Sequence, residues 1–202
     1  MATPVGHYLL GLSIATLAAR DERERRRAPW WALIAGAPDL DVLPGLAVGT
    51  LGQFHHGASH SLAAAGVVAL GAAALAARAE GRAVRTAVLV FALYVSHSVL
   101  DSFTLDTGWP IGVPFLWPWS RETFQAPWVL LPNVQHTRAP LLSAHNALLM
   151  VREVLIFAPL VGLVLAARAS RRRWRWAATG LAAVWLVAAA GLSIASLTSL
   201  AR

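Results

Sequence analysis

Cysteine is absent from this sequence, and so is lysine. Without thiols the chain has no disulfide framework and no thiolate metal site, so any bound metal must be held by histidine, aspartate or glutamate. Charge of either sign is scarce: 13% of the 202 residues are charged, against roughly a quarter in an ordinary soluble domain. With 57% of residues hydrophobic, that shortage excludes a conventional water-soluble domain and points to lipid as the solvent. Internal repeats, low-complexity tracts and any compositional break are also missing, so residues 1–202 read as a single integral membrane domain.

What is present is a series of apolar runs, at about 5–19, 61–77, 83–100, 154–167 and 177–198, with a broken run over 28–53. Their lengths approach the roughly 20 residues that a spanning helix needs. Helices are expected rather than strands, because an unpaired backbone cannot sit in hydrocarbon and the runs are too long for barrel strands. The expected fold is therefore an all-α polytopic bundle of about six spans: 5–20, 28–53, 60–78, 83–101, 150–168 and 176–199. The second span is interrupted at Pro38 and again at Pro44-Gly45, around the stretch PDLD. Proline there removes a backbone donor and glycine loosens the chain.

All 17 basic residues are arginine, and 13 of them fall in three clusters between apolar runs: Arg20 to Arg27, Arg78 to Arg85, and Arg168 to Arg175. By the positive-inside rule these loops face the cytoplasm, which puts both termini and the segments 54–60 and 102–149 outside. Topology therefore accounts for the basic balance, and nucleic acid is not an expected partner. The first run has no basic stretch ahead of it, which reads as a retained helix rather than a secretion signal. Trp30, Trp31, Trp174 and Trp176 flank the arginine loops as an interfacial belt would. Four more tryptophans and six prolines crowd the outer segment, whose stretch WPIGVPFLWPWS is too proline-rich for a helix. It is expected to lie along the outer interface or to fold over the bundle mouth.

Histidines and acids show the opposite asymmetry. All seven histidines fall at outward ends or in outward segments, with Asp101 and Asp106 beside them and Asp39 and Asp41 in the broken second span. At about 1.5 Å per helical residue, His7, Asp39 and His97 lie roughly 18 to 20 Å above the nearest cytoplasmic arginine, and Asp101 and His60 roughly 24 to 27 Å. Isolated ionisable groups at that depth cost several kcal/mol, so they turn inward and pair with each other, with water or with a metal. His97 and Asp101, four apart, share a helix face. His56 and His60 have the same spacing, and the break at PDLD lets both aspartates turn inward. Imidazole with carboxylate suits zinc, with manganese or iron as alternatives, better than calcium or magnesium. The donors exceed the four positions of one tetrahedral zinc, which suggests two ions, or one ion and a catalytic carboxylate. Ser59 reads as a helix N-cap and Ser61 as a small packing residue.

The motifs GHYLLG (6–11), PDLD (38–41), HHGASHS (55–61), HSVLD (97–101) and GVPFLWPWS (112–120) stand in an order that resembles the YdjM-type inner-membrane metal-dependent hydrolases. That family is distantly similar to the zinc-dependent phospholipase C and nuclease superfamily. The resemblance covers about residues 5–120, which makes this the metal-site core, with the fifth and sixth helices at 150–199. It implies an all-helical fold and a metal site of His7, Asp39, Asp41, His55, His60, His97 and Asp101. The family's third motif usually reads His-Arg-Gly-x-Thr-His-Ser. Here Ser59 replaces threonine and His56 replaces arginine, as an extra ligand or a proton donor. His145 and Glu153, near the start of the fifth span, are possible additions.

The expected function is hydrolysis of a phosphoester in a phospholipid or lipid-linked head group at the outer face of a bacterial-type inner membrane. Asp39 or Asp41 would take the proton from a metal-activated water. Two alternatives are a metal or proton transporter, since intramembrane His and Asp also build relays, and a non-catalytic membrane protein with a structural metal. A transporter needs a polar path to the cytoplasm, and the inner halves of the spans offer little beyond Ser13, Thr16 and Thr86.

Overall fold

The computed structural model describes residues 1–49, 54–77, 82–107, 111–134 and 143–168, with 176, 179–180, 182–185 and 187. The elements among these residues are helices α1 (Pro4–Ala18), α2 (Glu22–Ala32), α3 (Val42–Ala47), α4 (Leu62–Ala76), α5 (Ala83–Ser102) and α6 (Ala144–Ala167), with 3-10 turns at Leu33–Gly36, Pro38–Asp41 and Ala58–His60. Extended pairing among the described residues amounts to two isolated bridges, Thr104 with Leu131 and Val113 with Phe124. The all-α class holds. Helix α5, with 20 residues, and α6, with 24, are long and apolar enough to cross a membrane, whereas α1 and α4 are apolar but 15 residues each. Their outer faces are greasy: Leu75 is 82% exposed, Val84 77% and Leu148 68%.

The second expected span is where the chain departs furthest from its sequence pattern. No continuous helix runs through 28–53 in the described residues. Instead α2 starts inside the arginine cluster, because Asp21 accepts the Glu24 amide at 2.8 Å as an N-cap and Glu22 pairs with Arg25 and Arg26 one turn on. Two tight turns then carry the chain through PDLD. The serines also exchange roles. Ser61 caps α4 by accepting the Ala64 amide at 3.1 Å, while Ser59 donates to Asp41 at 2.6 Å. Helix α6 begins earlier than the apolar run implied, since Ser143 caps it. Most of the sixth run, and with it His136, Trp109, Trp174, Arg78 and Arg171 to Arg175, lies outside the described residues. From that run, Trp185 donates its Nε1–H to the Leu155 carbonyl at 3.0 Å.

Helix α1 packs against α6, α2 and α5, and α4 packs against α5. Near one end Ala15, Ala28 and Leu93 form a core with Leu12, Trp31 and Leu89; near the other, Ala2, Leu100, Leu131 and Phe157 form a second. The turn Leu33–Gly36 reaches α1 only because position 11 is glycine: a Cβ there would lie 2.8 Å from Ala35 Cβ and 2.9 Å from the Ala32 carbonyl. The start of α1 is tied to α6 by Glu153, which accepts the Thr3 amide at 2.6 Å, the Gly6 amide at 2.8 Å and the Thr3 hydroxyl. The proline-rich segment folds back over the ends of α4 and α5. The Leu62 amide donates to the Phe115 carbonyl at 3.0 Å and the Ala126 amide to the Ser102 carbonyl at 2.7 Å.

The arginines gather at the other end of the bundle. Arg23, Arg27, Arg82 and Arg85 line one cleft there, and Arg20, Arg25 and Arg168 a second. Arg85 reaches across from α5 to chelate Glu24 of α2, with one contact at 2.6 Å, and donates to the Ala18 carbonyl at 2.7 Å. The Arg85 hydrogen bond holds the Glu24 carboxyl down at about 2, from an ordinary 4.5. A depressed carboxyl stabilises the fold above its unfolded value and loses that contribution as pH falls through the folded one. Glu24→Gln should therefore lower the melting temperature at pH 7, and the gap from wild type should close between pH 4.5 and about 2. Gly11→Leu, which overpacks the crossing of α1 with the turn, should destabilise by about 1–3 kcal/mol in thermal or denaturant unfolding.

Candidate metal centre

Four segments converge at the end opposite the main arginine clusters. Helix α1 supplies His7; the turn Pro38–Asp41 supplies Asp39 and Asp41; the stretch 55–60 supplies His55, His56 and His60; and the last turns of α5 supply His97 and Asp101. His7, His60 and His97 are fully buried and Asp101 nearly so. All seven residues that the resemblance implies meet here, and His56 with them. The other two candidates do not. His145 is exposed, with Nε2 3.2 Å from the Asn133 carbonyl, and the Glu153 carboxylate is taken up by the start of α1.

The hydrogen bonds fix the Nδ1 protons of two rings. His97 Nδ1 lies 2.7 Å from the Ala35 carbonyl, which can only accept, so Nδ1 carries a proton, and Nε2 either presents a lone pair to a metal ion or carries a second proton toward Asp101. Ser59 donates to Asp41 Oδ2 at 2.6 Å and so is an acceptor toward His60 Nδ1 at 3.0 Å. His60 Nε2 is then an acceptor. The two Nε2 atoms face each other at 3.2 Å. Around them, His97 Nε2 lies 3.1 Å from Asp101 Oδ2 and 3.3 Å from Asp39 Oδ1, and His60 Nε2 lies 3.7 Å and 3.9 Å from the same two oxygens. Lone pairs and carboxylates at these separations repel unless a metal ion lies among them or His97 Nε2 carries a proton. Metal–ligand bonds of about 2.0–2.1 Å in a tetrahedron put ligand atoms about 3.3 Å apart, and the separations here run from 3.1 to 3.9 Å.

The orphaned atoms agree. Both nitrogens of His7, both oxygens of Asp39, His56 Nε2 and Asp101 Oδ2 are buried and make no hydrogen bond, where buried polar groups are otherwise nearly always satisfied. Asp39, His60, His97 and Asp101 thus form a group able to hold a metal ion. His7 lies beside it, its ring stacked on His97 at 3.7 Å and its Nε2 3.4 Å from Asp101 Oδ1.

Asp41 differs from Asp39 although both come from PDLD. Its Oδ1 holds His55 Nδ1 at 2.7 Å, and its Oδ2 takes the Ser59 hydroxyl and lies 3.3 Å from His60 Nδ1. The geometry makes Asp41 an orienting carboxylate behind two imidazoles, an arrangement that fixes tautomers and raises ligand basicity. Sequence reasoning left out several supports of this kind: the Ala35 carbonyl; the Ala2 amide, which donates to Asp101 Oδ1 at 2.9 Å; Ser98, which donates to the His60 carbonyl at 2.8 Å; and Asp106, 3.3 Å from His56 Nδ1. Only Asp106 had a visible signal, as an outward acid among the histidines.

The sequence matches the profile of the YdjM inner membrane protein family over residues 1–196. The chain belongs to that family. It is similar to the inner membrane protein YbcI of Escherichia coli (strain K12), 40% identical over 103 residues, which is 49% of this chain and 57% of the relative. The match thus spans little more than half of the relative's length. Both findings support an inner-membrane location. No solved structure matches the chain. Loss of an orienting carboxylate typically costs 10–100-fold in metal affinity, so if the cluster holds a divalent ion, Asp41→Asn is expected to weaken its binding by that factor in competition titrations without abolishing it.

Proposed function

We propose that this protein is a membrane-embedded metal-dependent hydrolase that cleaves a phosphoester of a phospholipid or lipid-linked head group at the outer leaflet. The single observation that carries the reading is the convergence of His60 Nε2 and His97 Nε2, 3.2 Å apart, with two buried carboxylates. The donor set favours zinc, with manganese or iron as alternatives. A bound divalent ion supplies a Lewis acid for the phosphoryl oxygen and lowers the pKa of water toward neutrality.

The chain's own residues do the rest. Asp39, Asp101, His60 and His97 hold the ion, with His7 in support. Ala35, Asp41 and Ser59 keep the ring tautomers. Asp39, whose two oxygens make no hydrogen bond, is the base that accepts the proton of the attacking water; Asp41 is too fully engaged to do so. The lipid side of the proposal draws on the segment over the cluster, where Trp119 is 80% exposed, Trp128 74% and Phe124 53%. Such side chains anchor at a membrane interface and would bring the mouth to the head-group level. In this reading the bundle has about six crossings with both termini outward, and the arginine end faces the cytoplasm.

Metal analysis of purified protein, wild type against His97→Ala and Asp39→Ala, tests the site. Wild type is expected to carry stoichiometric metal, and both variants to lose most of it together with hydrolysis in a screen of phospholipids and lipid phosphates. Metal retained undiminished in both variants would sink the site. A wild type that binds metal but turns over no lipid phosphoester in the screen would make the ion a structural staple instead.

A further inference from the structure

One tetrahedral ion on Asp39, His60, His97 and Asp101 leaves a second set of donors beside it. His55, His56 and His60 offer donor atoms that all lie within 4.8 Å of one another. The most informative member is His56, which the fold holds at some cost. Its φ is +60°, a left-handed conformation that non-glycine residues keep only where the surroundings over-determine it. Those surroundings are specific. His56 Nδ1 lies 3.3 Å from Asp106 Oδ2, and that oxygen also accepts the Gly112 amide at 2.9 Å. Gly112 has φ +90°, and a Cβ there would lie 2.7 Å from the Phe124 carbonyl, so only glycine fits the turn that supplies this amide.

The consequence is an imidazole turned inward. His56 Nε2 is buried without a hydrogen bond and lies 3.9 Å from Asp101 Oδ2. Its neighbour His55 is turned in the same way by Asp41, with Nε2 3.8 Å from Asp39 Oδ1 and the two rings 4.5 Å apart. Each of these histidines therefore directs Nε2 toward one of the two carboxylates that also serve the first ion. Asp39 serves both positions through Oδ1, the oxygen that also lies nearest His97 and His60, which leaves Oδ2 for the proton. Two divalent ions about 3.5–4 Å apart, bridged by carboxylates, are a recurrent arrangement for in-line phosphoryl displacement.

We propose that the cluster binds two divalent cations, the second held by Nε2 of His55 and His56, with the Asp39 and Asp101 carboxylates bridging it to the first. This rests on the metal-dependent reading above and names a second ion and its ligands. His56 is the residue that decides between one ion and two, because it faces the second position and is not among the four donors of the first.

The test is metal stoichiometry on the full chain in detergent, stripped with chelator and reloaded with zinc, alongside electron paramagnetic resonance of the manganese-loaded protein. Wild type is expected to bind two ions per chain and to show a spin-coupled manganese pair. His56→Ala and His56→Arg are each expected to bind one ion and to show only uncoupled manganese. The arginine variant sets a fixed positive charge at the second position and guards against misfolding in the alanine variant, and the wild-type spectrum decides without either. One ion per wild-type chain, or two retained in both variants, overturns the proposal and leaves the single-ion site standing. No metal in wild type overturns the metal reading itself.

Discussion

Two buried imidazole nitrogens 3.2 Å apart and flanked by two carboxylate oxygens form a group that is stable only with a shared proton or a metal ion among its atoms. The surrounding structure holds those atoms in place. His97 is locked by a backbone carbonyl from the turn before PDLD, His60 by its neighbour Ser59 and by Asp41 of PDLD, and Asp101 by the amide of Ala2. These supports come from four separate stretches of chain, so the cluster forms only when α1, the 3-10 turns, the start of α4 and the end of α5 are all in place.

The break in the second apolar run makes sense in that light. A regular helix through Pro38–Asp41 would point Asp39 and Asp41 to different sides. In the 3-10 turn one carboxylate enters the cluster and the other stands behind the histidines. Irregular backbone in a membrane protein is tolerated where protein lines it, and here α5 packs against both turns and α1 against the first. The two ends of the bundle are opposites in charge as well as in shape. Guanidinium groups and their few acids collect at one end, imidazoles and aspartates at the other, separated by the alanine- and leucine-rich middle of α1 and α5.

Much of this was legible in the residues. The helical class follows from run lengths, and the spacing of His97 and Asp101 by four correctly put both on one face of α5. Counting residues from the arginines brought His7, Asp39, His60, His97 and Asp101 to neighbouring depths, and they do meet. Other features were not legible for physical reasons. An apolar run shows hydrophobicity but not continuity, so 28–53 looked like a broken span although its first residues end a helix that starts in the arginine cluster, and two 3-10 turns and the short α3 follow. Glu153 and His145 lie close together in sequence near a helix start, yet one is drawn to the amides of α1 and the other stays at the surface.

The sequence alone determined the solvent, the helical class, the polarity of the bundle and the list of donor residues, because those depend on composition, run length and the side on which each charge falls. Only the tertiary structure decided what each donor does. Whether an aspartate enters the cluster or orients a histidine, which nitrogen of a ring carries the proton, and why His56 accepts a left-handed backbone all depend on partners 14 to 99 residues away in the chain. Such partners are set by packing, and no local pattern of residue types encodes them.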